Sequence, residues 1–93
     1  MEKIILDFNA TSSKEEIQEY LAGKFQFPDY YGKNLDALYD CLTSITSPTA
    51  VGFALPAYEY DEDDNAMMSY LEKVAGVFKD AEEENKNLAV IFF

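Results

Sequence analysis

Three short apolar runs alternate along the chain with three segments whose apolar residues recur at helical spacing. The runs cover residues 3–8 (KIILDF), 50–55 (AVGFAL) and 88–93 (LAVIFF). Each is rich in β-branched or aromatic residues and too short for a helix, so each predicts a β-strand. The first is expected to be buried, and Gly52 weakens the second. The almost wholly apolar third run is expected to lie in a central or well-covered position.

The first helical segment opens with a capping box, in which Ser13 is followed three residues later by Glu16. The helix is expected to fray near Gly23 and to be stopped by Pro28. Its apolar positions at helical spacing are Ile17, Tyr20, Leu21 and Phe25.

A second helix is predicted from Leu35 to about Ile45, because the aromatic loop before it ends at Asn34, a favourable N-cap residue. The spacing of its residues divides this helix into two faces. The stripe expected to be buried consists of Leu35, Leu38, Leu42 and Ile45. The other face is left with Asp36, Tyr39, Asp40 and Thr43.

A third helix is predicted from Ala66 to near Asn85 or Asn87, after a loop over residues 56–65 in which a short helix could form. Its apolar positions are Met67, Leu71, Val74, Ala75 and Phe78. Strands separated by such helices predict parallel pairing through right-handed crossovers. If every crossover steps in the same direction, all helices pack on one face of the sheet. The pattern therefore predicts an α/β fold, and a length of 93 residues predicts a single domain over 1–93.

The charge balance limits the possible partners. Eighteen Asp and Glu residues oppose seven Lys and Arg residues, and the net charge is -11 with no histidine. This field repels DNA and RNA, so direct nucleic-acid binding is not expected. An acidic surface either serves solubility or attracts a basic partner, and solubility is the commoner reading on composition alone. Seven Phe and seven Tyr residues suffice for a folded monomer without disulfides or a cofactor.

The single cysteine, Cys41, can form no disulfide within the chain, which suits a reducing compartment. Its place in an apolar helical pattern predicts a buried structural thiol rather than a nucleophile. No secretory leader and no run of about 20 apolar residues is recognisable, so no contact with a membrane is expected. The expected location is the cytoplasm.

Residues 27–43 contain the most informative pattern in the chain. Asp36 and Asp40 lie four residues apart on one helix, beside aromatic residues expected to be exposed. Like charges at this spacing are unfavourable by roughly a few tenths of a kcal/mol. The positive end of the helix dipole compensates Asp36 but does not reach Asp40. Such a helix suggests half of an interface whose cations lie on another molecule, although the pattern alone favours an ordinary solvated acidic face.

The run P-x-Y-Y-G-x-N-L-D-A-L-x-D-C-L, from Pro28 to Leu42, is very similar to the signature of the barstar family of ribonuclease inhibitors. The match has no gaps, and the order of the predicted elements on both sides also agrees. The resemblance implies a two-layer α/β fold with a three-stranded parallel sheet and helices on one face. It also implies a binding protein that plugs the basic active site of a ribonuclease and catalyses nothing.

The resemblance further implies which residues contact the ribonuclease. Asp40 would occupy the position of a substrate phosphate, facing Arg and His groups of the enzyme, and Asp36 would pair with a neighbouring Arg. Asp80, in the short match 77–81 of the last helix, would supply a further acidic contact. The partner-binding set is Tyr30, Gly32, Asn34, Leu35, Asp36, Tyr39, Asp40, Thr43 and Asp80.

The chain also departs from the best-known member of that family. Tyr39 and Ile45 stand where that member has tryptophans, and Lys86 matches its second cysteine. The region between Pro48 and Ala66 is longer by a few residues. These differences leave the acidic helix intact but leave the partner's identity open. An immunity or regulatory protein of the same fold, for another basic toxin or a partner other than a nuclease, is the alternative function; a purely structural acidic domain is a third.

The sequence does not favour a metal site or a catalytic pair of carboxylates. Residues 61–72 place acids or amides where a calcium loop has its first, third and fifth ligands, and Glu72 at the twelfth. Ala66 replaces the turn-forming glycine of that loop, and a helix from residue 67 would splay the ligands, so no metal is expected. Asp36 and Asp40 on one exposed helix cannot flank a substrate as an acid and base pair must. Enzymatic activity is therefore not expected.

Overall fold

The computed structural model describes residues 2–8, 11, 13–28, 31–54 and 65–92, and of residues 65–68 the backbone only. Within these ranges three strands and three helices follow one another in the predicted order. They are β1 (Glu2–Asp7), α1 (Lys14–Phe25), α2 (Leu35–Thr43), β2 (Thr49–Ala54), α3 (Asn65–Glu84) and β3 (Leu88–Phe92). The predicted α/β class is confirmed.

The sheet has the order β1-β2-β3, and both pairs of strands are parallel. The predicted central position of the last strand is therefore wrong, because β3 lies at an edge. Its side chains are apolar on both faces, but helices cover only the inner face. Ile91 on the outer face consequently keeps 64% of its surface exposed. The predicted burial of the first strand is wrong for the same reason, since Ile5 is 56% exposed.

The central strand is the one that contains Gly52. This residue lies between Ile5 of β1 and Ile91 of β3 in the register of the sheet. A glycine weakens an isolated strand, but β2 is paired along both of its edges. Pairing with both neighbouring strands therefore holds Gly52 in the strand conformation, which glycine by itself does not favour.

Phe53 lies at the middle of the core between the sheet and the helices. Its ring centroid is 5.0 Å from that of Phe8, 5.4 Å from Phe78 and 5.2 Å from Phe92. Tilted and edge-on contacts of this kind are the favoured arrangements of aromatic rings. The largest fully buried side chains are Leu6, Phe8, Ile17, Gln18, Leu21, Leu38, Leu42, Val51, Phe53, Leu71, Val74 and Phe78.

The start of α1 is capped as predicted, since the Ser13 hydroxyl accepts a hydrogen bond of 3.1 Å from the Glu16 amide. The end of α1 differs from the prediction. The helix continues past Gly23 to Phe25, and Gln26 caps it with a left-handed φ of 56°, so that the amides of both Gln26 and Phe27 donate to the Ala22 carbonyl. The helix thus ends three residues before Pro28.

The second helix ends at Thr43 rather than near Ile45 because the end of α3 binds its final carbonyl groups. The buried Asn85 amide donates hydrogen bonds of 2.9 Å to the Leu42 carbonyl and 3.0 Å to the Ile45 carbonyl. Residues at the end of a helix have no intrahelical donor for these carbonyls. Asn85 supplies that donor and fixes α2 against α3.

The third helix is 20 residues long and carries charged side chains on its exposed surface. Its apolar residues Leu71, Val74 and Phe78 are buried, as the spacing predicted. None of the helices that the structure describes is both long and apolar enough to cross a membrane.

Replacing Asn85 should destabilise the fold more than replacing its neighbour Asn87. Asn85→Ala removes the short hydrogen bonds to the carbonyls of Leu42 and Ile45, which keep only longer contacts of 3.4 Å, so the free energy of unfolding should fall by about 1–3 kcal/mol. Asn87 reaches the Ile45 carbonyl only at 3.4 Å, so Asn87→Ala is the matched control with a smaller loss. Urea denaturation measures both, and equal losses would contradict this account of the α2 terminus.

Candidate functional site

Helix α2 presents the acidic face of the candidate site. The Asn34 side chain begins the helix by accepting a 2.8 Å hydrogen bond from the Ala37 amide. On the inner face Leu38 and Leu42 are fully buried, so the helix cannot rotate about its axis without exposing them. This packing leaves the side chains of Asp36 and Asp40 exposed to solvent.

Asp36 and Asp40 are both exposed, but their positions in the helix differ electrostatically. Asp36 lies in the first turn, where the helix dipole favours a negative charge. Asp40 lies near the negative end of the dipole, and no basic residue occurs in the last turn. Between the described residues the one ion pair joins Lys33 to Glu19, at 3.8 Å and well exposed. The two acids of α2 are therefore not neutralised by a lysine of the part of the chain described.

Tyr39 lies close enough to three acids of the site to be affected by their charges. Its side chain is half-buried and packs against the core. Burial raises the pKa of Tyr39 above its usual value, and the charges of Glu84, Asp80 and Asp40 raise it further. The phenol thus stays neutral among three carboxylates that two different helices contribute.

The packing of α3 against α2 brings Asp80 to the site, where the sequence analysis expected it. Glu84, one helical turn after Asp80, also lies beside Tyr39, and the sequence analysis did not name it as a site residue. The only signal in the sequence is the spacing of four residues from Asp80, which places both on one side of a helix. Glu83, three residues after Asp80, also falls near that side of the helix, so the spacing by itself could not select Glu84.

Leu35 and Thr43 lie at the two ends of α2 and are both half-buried. The Thr43 hydroxyl bonds the carbonyls of Tyr39 at 2.8 Å and Asp40 at 3.2 Å. The hydroxyl proton is therefore used within the helix, and towards another molecule the oxygen can only accept a hydrogen bond.

The loop before α2 is tightly folded around Gly32 and Lys33. A Cβ atom at Gly32 would lie 3.2 Å from the side-chain nitrogen of Asn34 and 3.4 Å from the Ala37 Cβ, so a larger residue here would have to shift the Asn34 side chain. Lys33 adopts a left-handed φ of 53°, a conformation that costs a non-glycine residue energy. Tyr30, the remaining loop residue predicted to bind a partner, lies outside the described residues.

Tyr31 differs from the expectation of an exposed aromatic beside the acids, because only 7% of its surface is accessible. The centroid of its ring lies 4.8 Å from that of Phe27, and its hydroxyl donates a hydrogen bond to the side-chain oxygen Oε1 of Gln18. Burial, with smaller effects of Cys41 and Tyr70, raises the pKa of Tyr31 well above its usual value. Tyr31 therefore belongs to the core and holds the loop from inside.

Cys41 differs from its predicted burial, since it is only half-buried. It lines an open cavity of ≈ 310 Å³ with Phe25, Phe27 and Asp40 among its neighbours. Partial burial and the charge of Asp40 raise the pKa of the Cys41 thiol above its usual value. This is the opposite of the lowered pKa that activates a nucleophilic cysteine.

The described residues contain no group of three His, Cys, Asp or Glu side chains that could hold a metal ion. Most of the calcium-like run, residues 61–64 and the side chains of 65–68, lies outside the described part of the chain. Asp36 and Asp40 share one helix face, so the arrangement offers a charged surface rather than a cleft with an acid and a base on opposite sides.

The sequence of the chain is similar to those of known proteins. The chain matches the family model described as Barstar (barnase inhibitor) over residues 1–93. A relative named "Putative ribonuclease inhibitor YrdF", from Bacillus subtilis (strain 168), is 37% identical over 87 residues. That alignment covers 94% of this chain and 92% of the relative. The fold, the acidic helix and these matches together establish that the chain belongs to the barstar family.

Proposed function

We propose that this protein inhibits a basic ribonuclease by placing the acidic face of α2 and the loop before it in the enzyme's active site. Asp40 stands in for a substrate phosphate, and Asp36 pairs with a neighbouring Arg of the enzyme. The observation that carries the proposal is an exposed acid near the negative end of its own helix, with no lysine of the described residues to neutralise it. Family membership and the relative's name support the same function.

The electrostatic cost of this arrangement in the free protein is part of the argument. Asp36 and Asp40 repel each other, and Asp80 and Glu84 add negative charge on the neighbouring helix. A surface kept only for solubility could spread these charges apart. Cations of a bound enzyme would remove the repulsion, and the net charge of -11 would steer a basic partner towards the site.

The remaining members of the predicted partner-binding set have supporting roles in this proposal. Gly32 and Asn34 shape the loop, and Tyr30 adds an aromatic contact from it. Leu35, Tyr39 and Thr43 supply the less polar surface that excludes water around the charged pairs. Asp80 extends the acidic surface onto α3, and Glu84 joins it. The inhibitor catalyses no reaction, acts as a monomer of one domain, and works in the cytoplasm without binding nucleic acid.

An alternative partner is favoured by one feature of the site. Tyr39 and Ile45 replace tryptophans of the best-known family member, so the contact surface beside Asp40 is chemically different. An immunity or regulatory protein of this fold, directed at another basic toxin or at a protein that is not a nuclease, would use the same acids. Affinity capture from the host lysate and secreted fraction, scored for RNase activity, separates these possibilities.

Asp40→Ala should weaken inhibition of barnase, the nuclease in the family's description, without destabilising the free protein. Removing the carboxylate strands enzyme cations in the interface, so the binding free energy should fall by more than about 2 kcal/mol. Asp36→Ala should act in the same direction. Inhibition titrations measure affinity, and thermal denaturation should show stability unchanged or slightly raised, because a repulsion is relieved.

The matched control is Glu72→Ala, which removes an exposed acid of α3 beside Phe92 rather than beside α2. This variant should lose no more than about 1 kcal/mol of binding free energy, as expected of a distant surface charge. Equal inhibition by wild type and Asp40→Ala would overturn the proposed site. So would unfolding of Asp40→Ala in the absence of the enzyme.

Salt should slow association with the nuclease more than it speeds dissociation. Long-range steering is screened once the Debye length falls to about 10 Å, near 0.1 M salt, whereas desolvated pairs in the complex are screened less. Stopped-flow kinetics at several salt concentrations measure both rate constants. Gel shift at low salt should detect no complex with RNA, and a micromolar RNA complex would contradict the proposal.

Cys41→Ala should leave inhibition nearly unchanged and cost only modest stability, because the thiol packs at the rim of α2 and is not activated. The raised pKa of this thiol implies slow alkylation near neutral pH and faster alkylation as the pH rises. Mass spectrometry follows the alkylation, and inhibition titration follows the variant. Loss of inhibition by folded Cys41→Ala would assign the thiol a direct role in binding.

A further inference from the structure

Three hydrogen-bonded polar side chains, two of them buried and one half-buried, connect the loop before α2 to both of the other helices. The Tyr31 hydroxyl donates to the Gln18 carbonyl oxygen, and the Gln18 amide donates to the Tyr70 hydroxyl at 2.5 Å. Gln18 belongs to α1 and is only 2% exposed, and Tyr70 belongs to α3. The three groups thus join parts of the chain that are 13 and 52 residues apart in sequence.

The chemistry of Gln18 makes this arrangement directional. One carboxamide offers a carbonyl that accepts and an NH₂ group that donates, and each is used by a different tyrosine. A buried amide is costly unless its hydrogen bonds are made, and an apolar residue here would leave the buried Tyr31 hydroxyl without its acceptor. The glutamine therefore satisfies that hydroxyl, and the same hydrogen bond fixes the Tyr31 ring in one orientation.

The loop that begins at Tyr31 depends on contacts that hold it in place. The Tyr31 amide donates a 2.9 Å hydrogen bond to the Pro28 carbonyl, and the Tyr31 ring packs against Phe27. Lys33 holds a left-handed backbone conformation that surrounding contacts must maintain. At its other end the loop is fixed by Asn34, which caps α2. The phenol of Tyr31 and the amide of Asn34 are thus the two anchors of residues 31–34.

From this geometry we infer that Gln18 is a positioning residue for partner binding. It holds the Tyr31 phenol so that the loop 31–34 is already in its binding conformation in the free protein. Gln18 does not touch the partner. Its effect on affinity comes from ordering the loop before association, which removes an entropy cost that binding would otherwise carry. The inference rests on the proposed function.

The test uses Gln18→Leu, which removes both hydrogen bonds at similar volume, and Tyr31→Phe, which removes only the hydroxyl. Each should weaken inhibition of barnase about three- to tenfold. The double variant should be no weaker than the worse single variant, because both changes break the same bond. Ile17→Val is the matched control, a fully buried change on the same helix that should lower stability without altering affinity.

A second measurement examines the loop in the free protein. NMR relaxation order parameters of the Gly32 and Lys33 amides should fall from about 0.85 to below about 0.6 in Gln18→Leu and Tyr31→Phe, and stay high in Ile17→Val. Loop order and affinity equal to those of Ile17→Val would overturn the inference. If wild type itself fails to inhibit barnase, the proposed function fails, while the order parameters still decide whether Gln18 holds the loop. Should Gln18→Leu not fold, Tyr31→Phe carries both measurements.

Discussion

The helices cover one face of the sheet, and the rest of the structure follows from this constraint. Three parallel strands in the order β1-β2-β3 require two crossovers that step in the same direction, and right-handed crossovers place every connecting helix on the same side. The inner face can then bury Phe53 among aromatic side chains from both layers. The outer face keeps Ile5 and Ile91 exposed. The first crossover contains both α1 and α2, and α2, the acidic helix, packs against α3.

A continuous series of aromatic contacts connects the core to the candidate site. Phe78 contacts Phe53 at the centre, Phe25 contacts Phe78, Phe27 stacks on Phe25, and Tyr31 packs on Phe27. The loop before α2 is therefore an extension of the core rather than a separate surface feature. A rigid loop and a helix fixed by its buried leucines can present charges with little loss of entropy on binding, which favours affinity for a partner.

The candidate site is also the place where local preferences are violated. Asp40 lies near the unfavourable end of a helix dipole, Lys33 adopts a left-handed conformation, and like charges gather around Tyr39. Proteins tolerate such violations mainly where a function requires them, because the rest of the fold supplies the stability to maintain them. Elsewhere in the described chain, the Ser13 cap and the buried stripes agree with local preference, and the other left-handed non-glycine residue, Gln26, ends α1.

The sequence by itself determined the type and order of the elements, since helical spacing and short apolar runs are local properties of the chain. It also identified Asp36 and Asp40 as candidate binding residues. The run of residues around them resembles the signature of the family, and this resemblance can be recognised without knowledge of the fold. Only the tertiary structure decided which strand is central, since a strand that is apolar on both faces looks the same at an edge. Glu84 beside Tyr39 and the Gln18 bond to Tyr31 likewise depend on helix packing. Contacts between residues distant in sequence leave no periodic signal, and so they could not be predicted from it.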